Sequence, residues 1–252
     1  MPQFVDLLVP MILGIIPARY ASTRFPGKPL ADIQGKTMIQ RVYEQAIQSK
    51  TLHQVIVATD DARIVEHVQA IGGMVVMTMS EHPSGTDRCA EVARLFPDAE
   101  VIVNIQGDEP FIQPEQIDLL VSTLLNSQHN SIATLAKKIT DPEVLDNPNT
   151  VKVVFSEMTA TAIYFSRHAI PFARGVAAAA RLEHCAYYKH IGLYAYRRQA
   201  LEKIALLSPS PLELAESLEQ LRWLENGLQI AVGITDLETT SVDTPEDVKK
   251  IC

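Results

Sequence analysis

Cysteine is scarce in this chain, and its three copies, Cys89, Cys185 and Cys252, are scattered. They form no C-x-x-C pair, which argues against a disulfide framework and against a thiolate zinc site, and suits a reducing cytoplasm. Long apolar runs are also missing, since no stretch of about 18–20 uninterrupted apolar residues is available to span a membrane. The apolar start, from Met1 to Pro17, is interrupted by Asp6 and has no basic segment ahead of it, against a signal peptide. Its first ten residues read as a leader before a strand. Positive charge is in short supply: 22 Lys and Arg face 30 Asp and Glu, a net charge of −8. That balance disfavours nucleic acid or an anionic membrane as partner. A polyanion handled by such a chain requires its cations to be concentrated locally. No internal repeat, low-complexity tract or linker divides the 252 residues. One domain is expected, burying roughly 70–75% of its unfolded surface.

What is present is a regular rhythm. Met11–Ile16, Gln54–Thr59, Met74–Met77, Val101–Gln106 and Ser131–Leu135 read as buried strands, short, apolar and bounded by polar or turn residues. Between them Met38, Ile39, Val42, Tyr43, Ala46 and Ile47 recur at helical spacing, as do Ile64, Val65, Val68 and Ile71 before the stop at Gly72-Gly73. Pro114 opens a further helix with Ile117, Leu120, Val121 and Leu124 on one face. Alternation of this kind predicts an α/β fold with a doubly wound, mostly parallel sheet, whose ligands sit at the carboxyl ends of the strands. From about Val151 the rhythm changes. Val151–Ser156, Thr161–Arg167 and Lys189–Arg197 are strand-like, a helix is predicted over Leu212–Asn226, a strand over Gln229–Ile234 and a final helix from Pro245. We read residues 151–205 as a β-rich excursion from the same sheet, suited to a dimer contact.

The chemistry is concentrated at strand ends. After the first strand, Arg19, Arg24 and Lys28 fall within one loop that also carries Gly27. Bidentate guanidinium groups and a compact ammonium at that position suit a triphosphate, although three such charges alone could equally be a solvated turn. Two other phosphate loops are excluded. Ala18 to Arg24 holds no glycine for a G-x-G-x-x-G turn, and Gly35-Lys36-Thr37 lacks its Walker A partner because residue 30 is leucine. The fourth strand delivers Gln106-Gly107-Asp108-Glu109-Pro110, placing hard carboxylate oxygens where Mg²⁺ and substrate phosphates would meet. Val242-Asp243-Thr244-Pro245 is a second acidic strand end, and it also reads as the N-cap of the last helix. Ser84-Gly85-Thr86-Asp87-Arg88 is either a capped helix start or a set of donors for a base or phosphate.

Taken together, IPARYASTRFPGKPL, HPSGTDR, VNIQGDEP, YFSR, KHIGLYAYR, LEQLRWLENG and VDTPED resemble, in order and spacing, the CMP-Kdo synthetases, the 3-deoxy-manno-octulosonate cytidylyltransferases. The resemblance runs from Ile16 to near the C-terminus; the one local departure is His82-Pro83 before Ser84. It implies a Rossmann-like nucleotidyltransferase, cytoplasmic and homodimeric, that joins CTP to Kdo with Mg²⁺ as cofactor and releases pyrophosphate for lipopolysaccharide synthesis. By motif it makes Arg19, Arg24 and Lys28 the triphosphate grip and puts Ser84, Gly85, Thr86 and Arg88 around the nucleotide. It makes Asp108 and Asp243 the Mg²⁺ carboxylates and, with Arg19 and Lys28, the catalytic set. Gln106 lies between CTP and the sugar, and Arg167, His190, Tyr194, Glu219 and Gln220 become the sugar pocket. Each of the last group has a plainer reading. His190 and Tyr194 could be ordinary strand residues of the core, alongside Tyr164 and Tyr196. Glu216, Glu219 and Gln220 could be the wet face of a helix whose Trp223 and Leu224 point inward. Arg167, at a strand end, is a natural partner for a sugar carboxylate. CMP-sialate synthetases begin with a glycine-rich A-R-G-G-S-K that is absent here, which disfavours sialate. The sequence leaves two rival functions open: the same reaction on 8-amino-Kdo or another 2-keto sugar acid, and a CTP-binding sensor without turnover.

Overall fold

A computed structural model describes residues 10–21, 25–238, 241–242 and 244–251. Arg24 and Asp243, and the leader up to residue 9, lie outside the described residues. Strand β1 (Met11–Ala18) is followed by a 3₁₀ turn at Lys28–Leu30 and a small hairpin of β2 (Asp32–Ile33) and β3 (Lys36–Thr37). Next come α1 (Met38–Ala46), β4 (Gln54–Thr59), α2 (Ala62–Ala70), β5 (Val75–Met77), α3 (Gly85–Leu95), β6 (Ala99–Asn104), α4 (Pro114–Asn126) and β7 (Ile132–Lys138). The second half holds α5 (Pro142–Asp146), β8 (Lys152–Ser156), β9 (Thr161–Ser166), α6 (Arg181–His184), β10 (Tyr188–Arg197) and α7 (Arg198–Ile204). It closes with α8 (Pro211–Glu216), α9 (Glu219–Glu225), β11 (Ile230–Ile234) and α10 (Pro245–Ile251).

The helices start where side chains can accept the free N–H groups of a first turn. Thr37 accepts from Gln40 N at 3.3 Å, Asp61 from Arg63 N at 3.0 Å and Ser84 from Asp87 N at 3.3 Å. Each strand then divides its side chains between two faces. Leu13 and Ile15 of β1 pack with Cys89 and Val92 of α3, Leu201 and Ile204 of α7, and Leu221 and Trp223 of α9. Ile12 and Ile16 pack on the other face with Ile39 and Val42 of α1, Ile64 and Val68 of α2, and Ile117, Leu120 and Leu124 of α4. Each such Leu or Ile contributes about 1.5–3 kcal/mol by leaving water.

The sheet order is β5-β4-β1-β6-β10-β7-β11-β9-β8. It is parallel from β5 to β6, as alternating β and α units require. Beyond β6 the pairing alternates, with β11 joining β7 in parallel. β10 is inserted antiparallel between β6 and β7, and β9 and β8 also join antiparallel, so the whole sheet is mixed. A contact of Lys189 with Lys152 pairs β8 back onto β10, curling this half on itself.

A second difference concerns the helix expected over Leu212–Asn226. It is two helices, broken at Ser217, whose φ of 52° lies in the left-handed region. The carbonyls released by the break are taken by Arg167, whose Nε donates to Glu216 O at 2.7 Å and Nη2 to Ser217 O at 3.3 Å. The break turns Leu218 into the core and re-aims α9 at the start of α3. The fourth strand ends at Asn104, two residues before the expected Gln106, so Gln106, Gly107 and Asp108 belong to a loop.

Candidate active site

β1 and β6 are neighbours with parallel ends, and their following loops meet. Ile105 N donates to Ile15 O at 2.9 Å, which draws the chain after β6 across the end of β1. At Gly107 a Cβ would lie 2.8 Å from Pro17 O, closer than such contacts occur, so only glycine lets this loop sit so low. Gly27, at φ 73°, closes the turn after β1 by donating its N–H to Tyr20 O at 2.9 Å, and this presents Lys28. Lys28 Nζ then reaches Asp108 Oδ2 and Val242 O, each at 2.8 Å. Val242 N in turn donates to Asp108 O at 2.9 Å. The residue that precedes Asp243 in sequence is thereby bonded to the backbone of Asp108.

Around these loops opens a cleft of about 230 Å³. Arg19, Lys28, Ser84, Gly85, Arg88, Gln106 and Asp108, drawn from three separate sequence motifs, all line it. Thr86 lies just behind, buried. Arg19 is exposed at the mouth, whereas Arg88 is only 3% exposed and committed inward. Its guanidinium donates to Thr78 Oγ1 and pairs with Asp60 Oδ2 at 3.2 Å. Neither Thr78 nor Asp60 carries a sequence signal, because each is an ordinary strand-end residue until the fold sets it beside α3.

The start of α3 also meets α9. Thr86 Oγ1 donates to Glu219 Oε2 at 2.9 Å, and Ser84 Oγ lies 3.1 Å from Glu219 Oε1 and 2.7 Å from Asp87 Oδ2. Arg222 Nη2 donates to Glu219 Oε1 at 2.8 Å. Glu219 is therefore no wet-face residue. Burial raises its pKa above the usual carboxylate range, against the pull of Thr86, Arg222 and Ser84. Tyr194, Tyr196 and Trp223 pack beside it, with Tyr194 and Trp223 ring centres 4.9 Å apart. Among the described residues, Tyr194 Oη, Tyr196 Oη, Trp223 Nε1 and Gln220 Nε2 are buried without a hydrogen-bond partner. Orphaned polar atoms gathered in this way mark a place for water or a polar ligand.

His190 sits next to this group, 3.0 Å from Thr134 Oγ1 and packed between the rings of Phe165 and Tyr194. Burial lowers its pKa to about 3, so the ring is neutral at physiological pH. None of the residues expected to form the sugar pocket, His190, Tyr194, Glu219, Gln220 and Arg167, is in the cleft lining; Glu219 meets it through Ser84, and Arg167 is turned to backbone carbonyls. Besides its bonds to Glu216 and Ser217 it donates from Nη1 to Pro148 O at 3.1 Å, which anchors the break between α8 and α9. Glu216, read from sequence as a candidate wet-face charge, accepts from Ser166 Oγ at 2.7 Å and from Arg167 N at 2.9 Å. Trp223 and Leu224 do belong to the core packing.

Among the described residues no group of three or more His, Cys, Asp or Glu forms a metal cage. Asp108 alone fits a different kind of site, in which a hard cation takes one or two carboxylates and completes its shell with substrate phosphates and water.

Comparison with known proteins agrees with this geometry. The profile of the family described as Cytidylyltransferase matches residues 13–230. The chain is 56% identical over 243 residues to the 3-deoxy-manno-octulosonate cytidylyltransferase of Parabacteroides distasonis, covering 94% of this chain and 95% of that one. It is 56% identical over 241 residues to the protein of the same name in Bacteroides thetaiotaomicron, covering 94% and 95%. A CMP:2-keto-3-deoxy-manno-octonic acid synthetase solved in complex with CTP superposes with a TM-score of 0.88 at 43% identity, over 96% of both chains. The chain belongs to the 3-deoxy-manno-octulosonate cytidylyltransferase family.

Proposed function

We propose that this protein transfers the cytidylyl group of CTP to 3-deoxy-D-manno-octulosonate, giving CMP-Kdo and pyrophosphate. One observation carries the reading. A single cleft joins the cationic loop after β1, the Gly107-Asp108 turn after β6 and the start of α3, whose Ser84 and Thr86 bond to the Glu219 carboxylate. The anomeric hydroxyl of the sugar attacks the α-phosphorus of CTP and gives up its proton to water; the bond from that phosphorus to the bridging oxygen breaks, and the electron pair leaves with pyrophosphate. Such transfers need alignment and charge neutralisation more than a covalent intermediate. Arg19 and Lys28, with Arg24 from the same loop, neutralise the charge that develops on pyrophosphate. Ser84, Gly85, Thr86 and Arg88 hold the nucleotide, and Gln106 stands between it and the sugar. Glu219, Gln220, Tyr194 and neutral His190 supply the hydrogen-bonding wall for the sugar, and Arg167 fixes the angle at which α9 presents that wall. Asp108 and Asp243 would hold Mg²⁺, which supplies charge neutralisation on phosphate oxygens and lowers the pKa of a nearby hydroxyl. The bond between Val242 and Asp108 supports that pairing.

The decisive assay is pyrophosphate release with CTP, Kdo and Mg²⁺. Release is expected only when all three are present, faster with Kdo than with 8-amino-Kdo, and faster with CTP than with UTP or ATP. CTP binding without any release would replace this reading with that of a sensor.

Residues 1–252 form one nucleotidyltransferase unit in this reading, and the 151–205 region adds a homodimer contact. Ile163 of β9 and Phe172, 63% and 86% exposed, are large apolar side chains left to solvent there. Sedimentation at micromolar concentration should report a dimer, and Phe172→Asp a monomer; a monomeric parent protein overturns the assignment. No helix among the described residues is long and apolar enough to cross a membrane. A cytoplasmic place in lipopolysaccharide synthesis suits free Cys89 and Cys185.

A further inference from the structure

The cleft contains one titratable pair that the reaction above does not use. His82, between β5 and α3, lines the cleft beside Pro83 and Ser84, and its Nε2 is hydrogen-bonded to Glu91 Oε2 of α3. Glu91 Oε2 also accepts from Met79 N at 3.1 Å. The pair is largely enclosed, with side chains 12% and 23% exposed. Burial pushes the Glu91 carboxyl upward, but the bonds from His82 and Met79 outweigh it and hold the group below the usual range. Glu91 is thus a carboxylate and can only accept, so Nε2 of His82 carries the proton. In the neutral ring the other nitrogen, Nδ1, is then an acceptor, and it has no hydrogen-bond partner among the described residues.

Sheet order tells which part of a nucleotide meets it. Lys28 and Asp108 hold the β6 side of the cleft, and Arg19 leaves β1 in the middle. His82 follows β5, on the opposite side of β1 from β6. A triphosphate gripped at Arg19 and Lys28, with its reacting phosphate toward Asp108, leaves the β5 side for the base. Cytosine offers an N4 amine, a donor, where uracil offers an oxygen, an acceptor.

We propose that His82, its tautomer fixed by Glu91, is the residue that selects cytosine over uracil, through an acceptor at Nδ1 that pairs with the N4 amine. The inference rests on the nucleotidyltransferase reading and deepens it. It is a specificity role, and neither His82 nor Glu91 takes part in bond making.

The test is calorimetric, on the full chain, with three probes: CTP, UTP and inorganic tripolyphosphate. Replacing His82 with Phe keeps a ring of similar shape and removes the acceptor. CTP affinity should fall about tenfold, the size of one lost hydrogen bond to a base, while UTP affinity holds or improves and tripolyphosphate affinity is unchanged. Glu91→Gln, which frees the tautomer, should narrow the CTP-to-UTP ratio in the same direction by a smaller factor. Equal losses for all three probes would mean that His82 merely shapes the loop, and would overturn the proposal. So would an unchanged CTP-to-UTP ratio. If the parent protein binds tripolyphosphate but neither nucleotide, the nucleotidyltransferase reading itself fails, a result distinct from either of these.

Discussion

Asp108→Asn abolishes turnover and leaves the fold standing: this is the expected result for the most sensitive position in the cleft. The amide has the shape of the carboxylate but no charge, so it holds a cation poorly and leaves phosphate charge without its organiser. Removing one such electrostatic element from a preorganised site costs about 10²–10³ in kcat, and losing the metal's contribution adds to this. The structural cost is small. Asp108 is 30% exposed at its side chain, and its pair with Lys28 is worth at most about 1 kcal/mol once solvent screening is counted. Its backbone bond with Val242 N does not involve the side chain and persists. The pyrophosphate-release rate should therefore fall at least about a thousandfold while the melting temperature moves by only a few degrees. Near-normal release from a folded variant would sink the metal assignment.

The second large effect is on stability, from Arg88→Met. Arg88 is buried on α3 and supplies the cation that pairs with Asp60, whose side chain is 16% exposed. Methionine fills similar space but leaves that carboxylate without a counter-charge and Thr78 without its donor. Breaking a buried pair from one side costs about 3–5 kcal/mol, which for a chain of this size lowers the melting temperature by roughly 10 °C. Asp60→Asn placed on top of Arg88→Met should recover a good part of the loss, because the amide tolerates burial without a cation. A drop of less than about 2 °C for Arg88→Met alone would show that water, not Arg88, satisfies Asp60. CTP binding should weaken in both variants, since Arg88 also forms part of the cleft wall.

The strands of the first half are legible in sequence because each is a short apolar run closed by polar residues, and the helices between them carry one apolar stripe. Direction is not encoded that way. Lys189–Arg197 reads as a strand whichever way it runs, so its antiparallel entry between β6 and β7 comes only from tertiary pairing. The helix break at Ser217 is hidden for a similar reason. Both pieces keep helical spacing, and what stabilises the break, Arg167, is distant in sequence. At the cleft, the motifs identified the residues that touch solvent and left out what holds them. The motifs mark both Lys28 and Asp108, but their meeting follows from Gly107 lying against Pro17. Only its motif marks Glu219, and a surface-charge role fails because Thr86 and Ser84 bond to its carboxylate.

The place of β10 also has a consequence in time. β6 and β7 are consecutive along the chain but do not pair, since β10 must be wedged between them. While the chain grows on a ribosome, the β6 edge stays open until the chain from Asn104 to Arg197 has emerged, because β6 pairs with the Tyr194–Arg197 end of β10. At bacterial or eukaryotic synthesis rates that interval is on the order of ten seconds. An unpaired apolar edge is a template for the wrong neighbour, including another nascent chain. Because the contacts that close it are distant in sequence, they also form late and slowly. Production of this protein is thus most vulnerable partway through its own synthesis, and slower translation before Arg197 would lengthen that exposure.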